Sequence, residues 1–376
     1  MDLTETSKLF KKGVLAFIIF VFGYYLVTSI LVPSLKNLAD KLDPNKIKPN
    51  PIYGLLEPLE FVEKPTVLQN VEYQLNTKNG RLPTDLPNVV KVYKFRQALF
   101  SYEAGKHAKE AARLLGFGDS DLVSDLKGNI YGWRSLKTGG TLDINIDSKE
   151  LKLSTPLSTN IASFAPGIIN ESFAADSTKN LFKAMGRWDD LYNNGDSKAY
   201  LGKFVGNSIS QSGAPSDAQI ARVELFRSID GRKIFGPDAK KGLLHAFVKA
   251  PDGSNPALNF PIVEANYWEL DTNSTAEYPI IDVKDAWNAV ANGKGVISSV
   301  LAKNDNPFSE GQAIRVSNIL INNIYLAYYE TPKFQKYLQP IYVFEGNYTS
   351  TGTPSGDIVI YFPAIQGQFI KAARTQ

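Results

Sequence analysis

Twenty consecutive residues, 13–32, carry no charge and are mostly apolar. As a helix rising about 1.5 Å per residue, they would reach roughly 30 Å, the thickness of a bilayer's hydrocarbon core. A helix also satisfies its own backbone polar groups there. The run exceeds the roughly 7–15 apolar residues of a signal peptide, and no small-residue cleavage site follows it before Pro33-Ser34-Leu35-Lys36. The stretch therefore predicts an uncleaved, single-pass signal-anchor. Lys8, Lys11 and Lys12 precede it, while Lys36, Lys41, Lys46 and Lys48 follow, so charge leaves the orientation open. Size decides it: residues 1–12 are expected in the cytoplasm and the bulk of the chain outside the cell membrane. Tyr24, Tyr25, Thr28 and Ser29 lie within the span. They read either as polarity tolerated near the interface or as a face that contacts another helix.

The next segment, 33–66, holds Pro44, Pro49, Pro51, Pro58 and Pro65. Proline fixes φ and drives its predecessor to extended geometry, so the segment predicts a stiff stalk. Tyr53, Leu55, Leu56 and Phe61 suggest that parts of it lie along a surface.

From residue 67 onward one helical pattern alternates with several strand patterns, three times over. Helices are expected near 101–115, 174–192 and 283–291, each ended by a glycine or an Asn-Gly pair. This predicts an α+β chain: a transmembrane helix followed by consecutive antiparallel-sheet-plus-helix modules at 67–158, 159–275 and 276–376. An amphipathic helix in such a module buries its apolar face across one side of the sheet.

The third module contains Tyr278-Pro279-Ile280, a short helix with Ala286-Trp287, a strand ending in Leu326-Ala327-Tyr328-Tyr329, and Tyr337-Leu338-Gln339-Pro340-Ile341-Tyr342-Val343-Phe344. This pattern resembles a PepSY-like module and the C-terminal region of YycH/YycI-type regulators. The resemblance spans about residues 220–363. It implies a bacterial, membrane-anchored extracytoplasmic protein that modulates a membrane sensor kinase. It supplies no catalytic motif.

The chemistry-bearing residues support no enzyme signature. The absence of cysteine excludes disulfides, thiolate metal sites and cysteine nucleophiles. His107 reads as a solvated helix residue and His245, in Leu243-Leu244-His245-Ala246-Phe247, as a satisfied strand histidine. Ser124-Asp-Leu-Lys127 and Lys137-Thr138-Gly139 match two penicillin-binding motifs, but stand too close together in the chain. Around Asp189-Asp190 and Asn193–Asp196 the calcium-loop spacing fails, because Tyr192 stands at a ligand position. With 41 basic and 38 acidic residues spread along the chain, there is no nucleic-acid footprint.

The sequence thus predicts a cell-envelope protein without cofactor, metal site or catalytic residue. It would act through protein–protein contacts, as regulator of a membrane partner or as part of a surface assembly, with the lipid bilayer and a membrane or cell-surface protein as partners and self-association possible. The interaction candidates are Tyr24, Tyr25, Thr28 and Ser29, with Tyr325, Tyr328 and Tyr329, since exposed tyrosine suits interfaces. The alternative is an envelope hydrolase using a pair of carboxylates.

Overall fold

A computed structural model describes residues 20–32, 48–64, 66–97, 101–127, 129–165, 169–250, 256–309, 313–350 and 353–372. The chain divides into two compact units, Met1–Pro49 and Asn50–Gln376.

In the first unit, residues 20–32 are helical, with a π-helical turn at Val27–Leu31. Thr28 Oγ1 donates to Tyr24 O at 2.8 Å, a back-bond that competes with the regular helical ladder. Among the described residues no helix is long and apolar enough to cross a membrane. This corrects the single-pass membrane reading and the cell-membrane localisation built on it. Residues 1–12, 13–19 of the expected span, and 33–47 and 65 of the expected stalk lie outside the described residues.

The second unit is dominated by strands: among the described residues 41% are strand and 21% helix. Among the described residues it forms two nine-stranded sheets. The first sheet contains β1 (Thr66–Leu75), β2 (Val89–Phe95), β10 (Arg227–Ile229), β11 (Arg232–Phe235), β14 (Leu270–Pro279), β15 (Val296–Ala302), β16 (Ile314–Tyr329), β17 (Tyr337–Ser350) and β18 (Thr353–Pro363). The second contains β3 (Leu122–Lys127), β4 (Ile130–Arg134), β5 (Thr141–Asn145), β6 (Leu151–Ser154), β7 (Ser197–Val205), β8 (Ser208–Gln211), β9 (Ile220–Leu225), β12 (Leu244–Lys249) and β13 (Ile262–Ala265). The helices are α1 (Ala104–Leu114), α2 (Glu171–Ala184), α3 (Asp190–Asn193) and α4 (Val283–Ala289).

The expected α+β series of PepSY-like modules is therefore corrected. The first sheet gathers strands from both ends of the unit, and β1 and β11 both run parallel to β16. A parallel pair demands a long crossover, which a string of self-contained hairpin modules does not provide. Here the β1–β16 crossover encloses the entire second sheet, and the β11–β16 crossover encloses its strands β12 and β13.

β17 is buried at every position from Tyr337 to Phe344, because both faces of the first sheet are covered. Side chains alternate between those faces. Leu326, Tyr328, Tyr342, Phe344 and Ile360 share one core with Ala286 of α4. Ala327, Tyr329, Ile341, Val343 and Tyr361 share another, against which Leu59 and Phe61 pack. Leu56 is buried, and its amide bonds Phe369 O at 2.8 Å. Tyr53 stacks on Tyr337, while Leu55 is exposed.

The second sheet is antiparallel throughout, in the order β3-β4-β5-β6-β13-β12-β9-β7-β8. Its apolar face carries Ala199, Val223, Ala246, Val263, Leu153 and Leu142 in one cross-strand row, in a core shared with residues of α1 and α2. The helix expected near 174–192 is two helices. Gly186, at φ +66, supplies the left-handed conformation that ends the first, and the Asp189 side chain caps the second.

Candidate functional site

The opposite face of the second sheet carries a cross-strand row of charge. Strand register places Lys198 of β7, Glu224 of β9, His245 of β12, Glu264 of β13, Lys152 of β6 and Asp143 of β5 side by side. Directly paired residues of antiparallel strands point to the same face, with Cβ atoms about 4.5–5.5 Å apart. Lys198, Lys152 and Asp143 are exposed, and Glu224 and His245 are buried.

Glu224 uses both carboxylate oxygens. Oε1 accepts from Arg222 Nε at 2.6 Å, and Oε2 accepts from the Gly242 amide at 2.7 Å. Lys241 Nζ donates to Glu264 Oε2 at 2.9 Å, and His245 Nε2 lies 3.6 Å from that same oxygen. Arg222 Nη1 donates onward to Pro307 O. Beside the row, Phe164, Ile220 and Phe247 form a small apolar cluster, with Phe308 packed against it.

Burial governs how the row holds protons. It pushes Glu224 up to about 7, against the opposing pull of Arg222. It also pulls His245 down to about 3, with the Lys241 charge adding to the effect. For Glu264 burial acts upward, but His245 and Lys241 outweigh it and leave the carboxyl below its ordinary value. His245 Nδ1 has no hydrogen-bond partner. Among the described residues no group of three or more His, Cys, Asp or Glu side chains could hold a metal ion.

A second buried cluster surrounds Arg227, the first residue of β10. Its Nη1 donates to Asp189 Oδ2 at 3.2 Å and to Trp268 O at 3.0 Å, and its Nη2 donates to Glu330 Oε2. The guanidinium also stands 5.5 Å from the Tyr192 ring centroid and 5.8 Å from that of Tyr267. Burial works against the charge on Arg227, but Glu330, Tyr192 and Asp189 more than offset it and hold the pKa above its ordinary value.

The interaction candidates fall in two environments. Tyr24 and Tyr25 are 66% and 63% exposed, and Thr28 and Ser29 are exposed beside them. Tyr328 and Tyr329 are buried core residues whose hydroxyls bond Lys91 O and Glu60 O. Tyr325 is half-buried and donates to Glu345 Oε1 at 2.7 Å. The charged row and the Arg227 cluster escaped the sequence reading. The available signal was a charged residue at every second position of otherwise apolar strands, as in Ile220-Ala-Arg222-Val-Glu224-Leu225.

No family model matches this chain, and no curated protein matches it. One solved structure, the crystal structure of an uncharacterized protein from Eubacterium rectale ATCC 33656, aligns over 82% of this chain and 92% of its own length, at 12% identity and a TM-score of 0.42. A likeness that distant carries no argument.

Proposed function

We propose that this protein acts by binding another protein, as a regulator of that partner or as part of an assembly, without a catalytic step of its own. The supporting observation is the apolar helical stretch at 20–32. Phe20, Val21, Phe22, Tyr24, Tyr25, Leu26, Val27 and Val32 are between 39% and 70% exposed. A contiguous apolar surface of this kind marks an interaction site. An apolar helix lodged in a groove of a partner protein is a recurring recognition mode, and Tyr24 and Tyr25 bring rings with a polar tip to it. The resemblance of the C-terminal segment to YycH/YycI-type regulators points in the same direction.

The test is a photo-crosslinking residue placed at position 24 or 25 of the full-length chain in its own cells. The expected result is a discrete crosslinked protein, and a doublet of the chain itself would favour the assembly form. Irradiation that yields no crosslinked protein would overturn the reading.

The competing hydrolase reading draws on Glu224, whose protonation near neutrality is what a general acid requires. Against it, Glu224 is fully buried and both its oxygens are engaged within the chain. Glycan or peptide hydrolysis by the purified chain that disappears in Glu224→Gln would reverse this preference.

A further inference from the structure

Two connections that leave strands of the first sheet lie across the charged face of the second. Residues 236–243 lead from β11 to β12, and residues 303–309 follow β15. Their charged fastenings converge on one place. The Gly242 amide sits on Glu224, Lys241 sits on Glu264, and Pro307 O accepts from Arg222, which itself donates to Glu224. Apolar contact adds to this, with the Phe308 ring edge-on to Phe247 at 5.7 Å.

We propose that the Glu224–His245–Glu264 row is a proton-responsive latch over which these two connections close. The groups facing the row are Arg222 from β9, Lys198 from β7, Lys152 from β6 and Lys241 from the connection itself. Closed, the connections exclude water from Glu224 and His245. Opened, they let both side chains return toward their ordinary values of 4.5 and 6.5.

The signs follow from linkage. Closing raises the proton affinity of Glu224 and lowers that of His245. Between about pH 4.5 and 6.5 the open row carries its proton on His245 and the closed row carries it on Glu224. One proton moves between neighbouring strands, none is released, and closure is independent of pH. Below about pH 4.5 Glu224 is protonated in both forms, while His245 and Glu264, both held below their ordinary values in the closed form, take up protons on opening, and acid opens the latch. Each partner therefore cancels the pH response of the other, which two cross-strand neighbours under one cover can do.

Hydrogen–deuterium exchange of the full-length chain between pH 4 and pH 8, corrected for intrinsic exchange, tests this at 236–243 and 303–309. In the wild type, protection should be level from about pH 7 to 4.5 and should fall below that. In Glu224→Gln, protection should fall as the pH drops through about 6.5, by up to about tenfold per pH unit. In His245→Gln, it should instead rise as the pH drops from about 7 to 4.5. Either variant alone decides the matter if the other fails to fold. Variant profiles identical to the wild type would overturn the latch. So would protection at the two connections that changes only in step with β17, since that reports global unfolding.

Discussion

Arg227 and Glu330 form a buried ion pair, with Arg227 at the start of β10 and Glu330 one residue beyond β16. Both are essentially excluded from solvent. Arg227 also bonds Asp189, which caps α3, and the carbonyl of Trp268, which lies between β13 and β14. One guanidinium thus ties together three segments: the start of α3, the passage from β13 of the second sheet to β14 of the first, and the end of β16.

Removing one partner of such a pair strands the other charge in the interior, at a cost of about 3–5 kcal/mol. Arg227→Met and Glu330→Gln are each expected to destabilise the fold strongly in urea unfolding, Arg227→Met more, since it strands two carboxylates. The double variant should lose much less than the sum of the two, giving a coupling energy of roughly 1–3 kcal/mol in a double-mutant cycle. Additive losses would mean that the pair is not coupled.

Two helix caps offer an internal comparison. Asn170 caps α2 by accepting from the Phe173 amide at 2.8 Å, and it is exposed. Asp189 caps α3 and also accepts from Arg227. Asn170→Ala should cost about 1 kcal/mol, the usual value for a cap. Asp189→Ala should cost clearly more, because it also strips a counter-charge from a buried cation. Chemical denaturation of the two variants separates these outcomes, and equal losses would reduce Asp189 to an ordinary cap.

Short-range chemistry was legible in the sequence. The strand patterns at Ile314–Tyr329 and Leu338–Phe344 mark two strands, and these pair as neighbours in β16 and β17. The Ala-rich face of 101–115 marks α1. What pairs at long range was not legible. Nothing near Val67 or Ile234 announces that both strands will run parallel to β16, because strand partners are fixed by tertiary packing and not by local pattern. The charged row was hidden for a related reason. Glu224, His245 and Glu264 stand about twenty residues apart in sequence and become neighbours only through register. The uncharged run at 13–32 was read by length and polarity alone, whereas among the described residues no helix is long and apolar enough to cross a membrane.

Global stability should also report Glu224. Its carboxyl is raised from 4.5 to about 7 by burial, so the folded state holds a proton that the unfolded state has lost. The stability linked to this group is fully present below about pH 4.5 and is lost as the pH rises to about 7. His245 is lowered from 6.5 to about 3, so its contribution is present above about pH 6.5 and lost as the pH falls. The two nearly cancel in the wild type. Comparing wild type with Glu224→Gln isolates the first. Their stability difference should shift toward the wild type by on the order of 3 kcal/mol between pH 7.5 and pH 4.5, at about 1.4 kcal/mol per pKa unit. A difference that does not change with pH would show Glu224 to be ionised throughout.

The 236–243 connection contains two glycines that should behave differently. A Cβ on Gly242 would stand 2.3 Å from Leu225 O and 2.8 Å from Leu225 N. Both are backbone atoms of β9, so no side chain can turn aside to make room. The connection would have to lift from the strand, carrying with it the amide that bonds Glu224. A Cβ on Gly236 would meet Leu243 Cδ2 at 3.0 Å, the far end of a flexible side chain. Gly242→Ala is therefore expected to cost about 1–3 kcal/mol, the range for overpacking, while Gly236→Ala should stay well under it. Exchange protection at 236–243 should fall in the first variant and hold in the second. If both alanines are tolerated equally, the connection does not lie against β9 as closely as its contacts require.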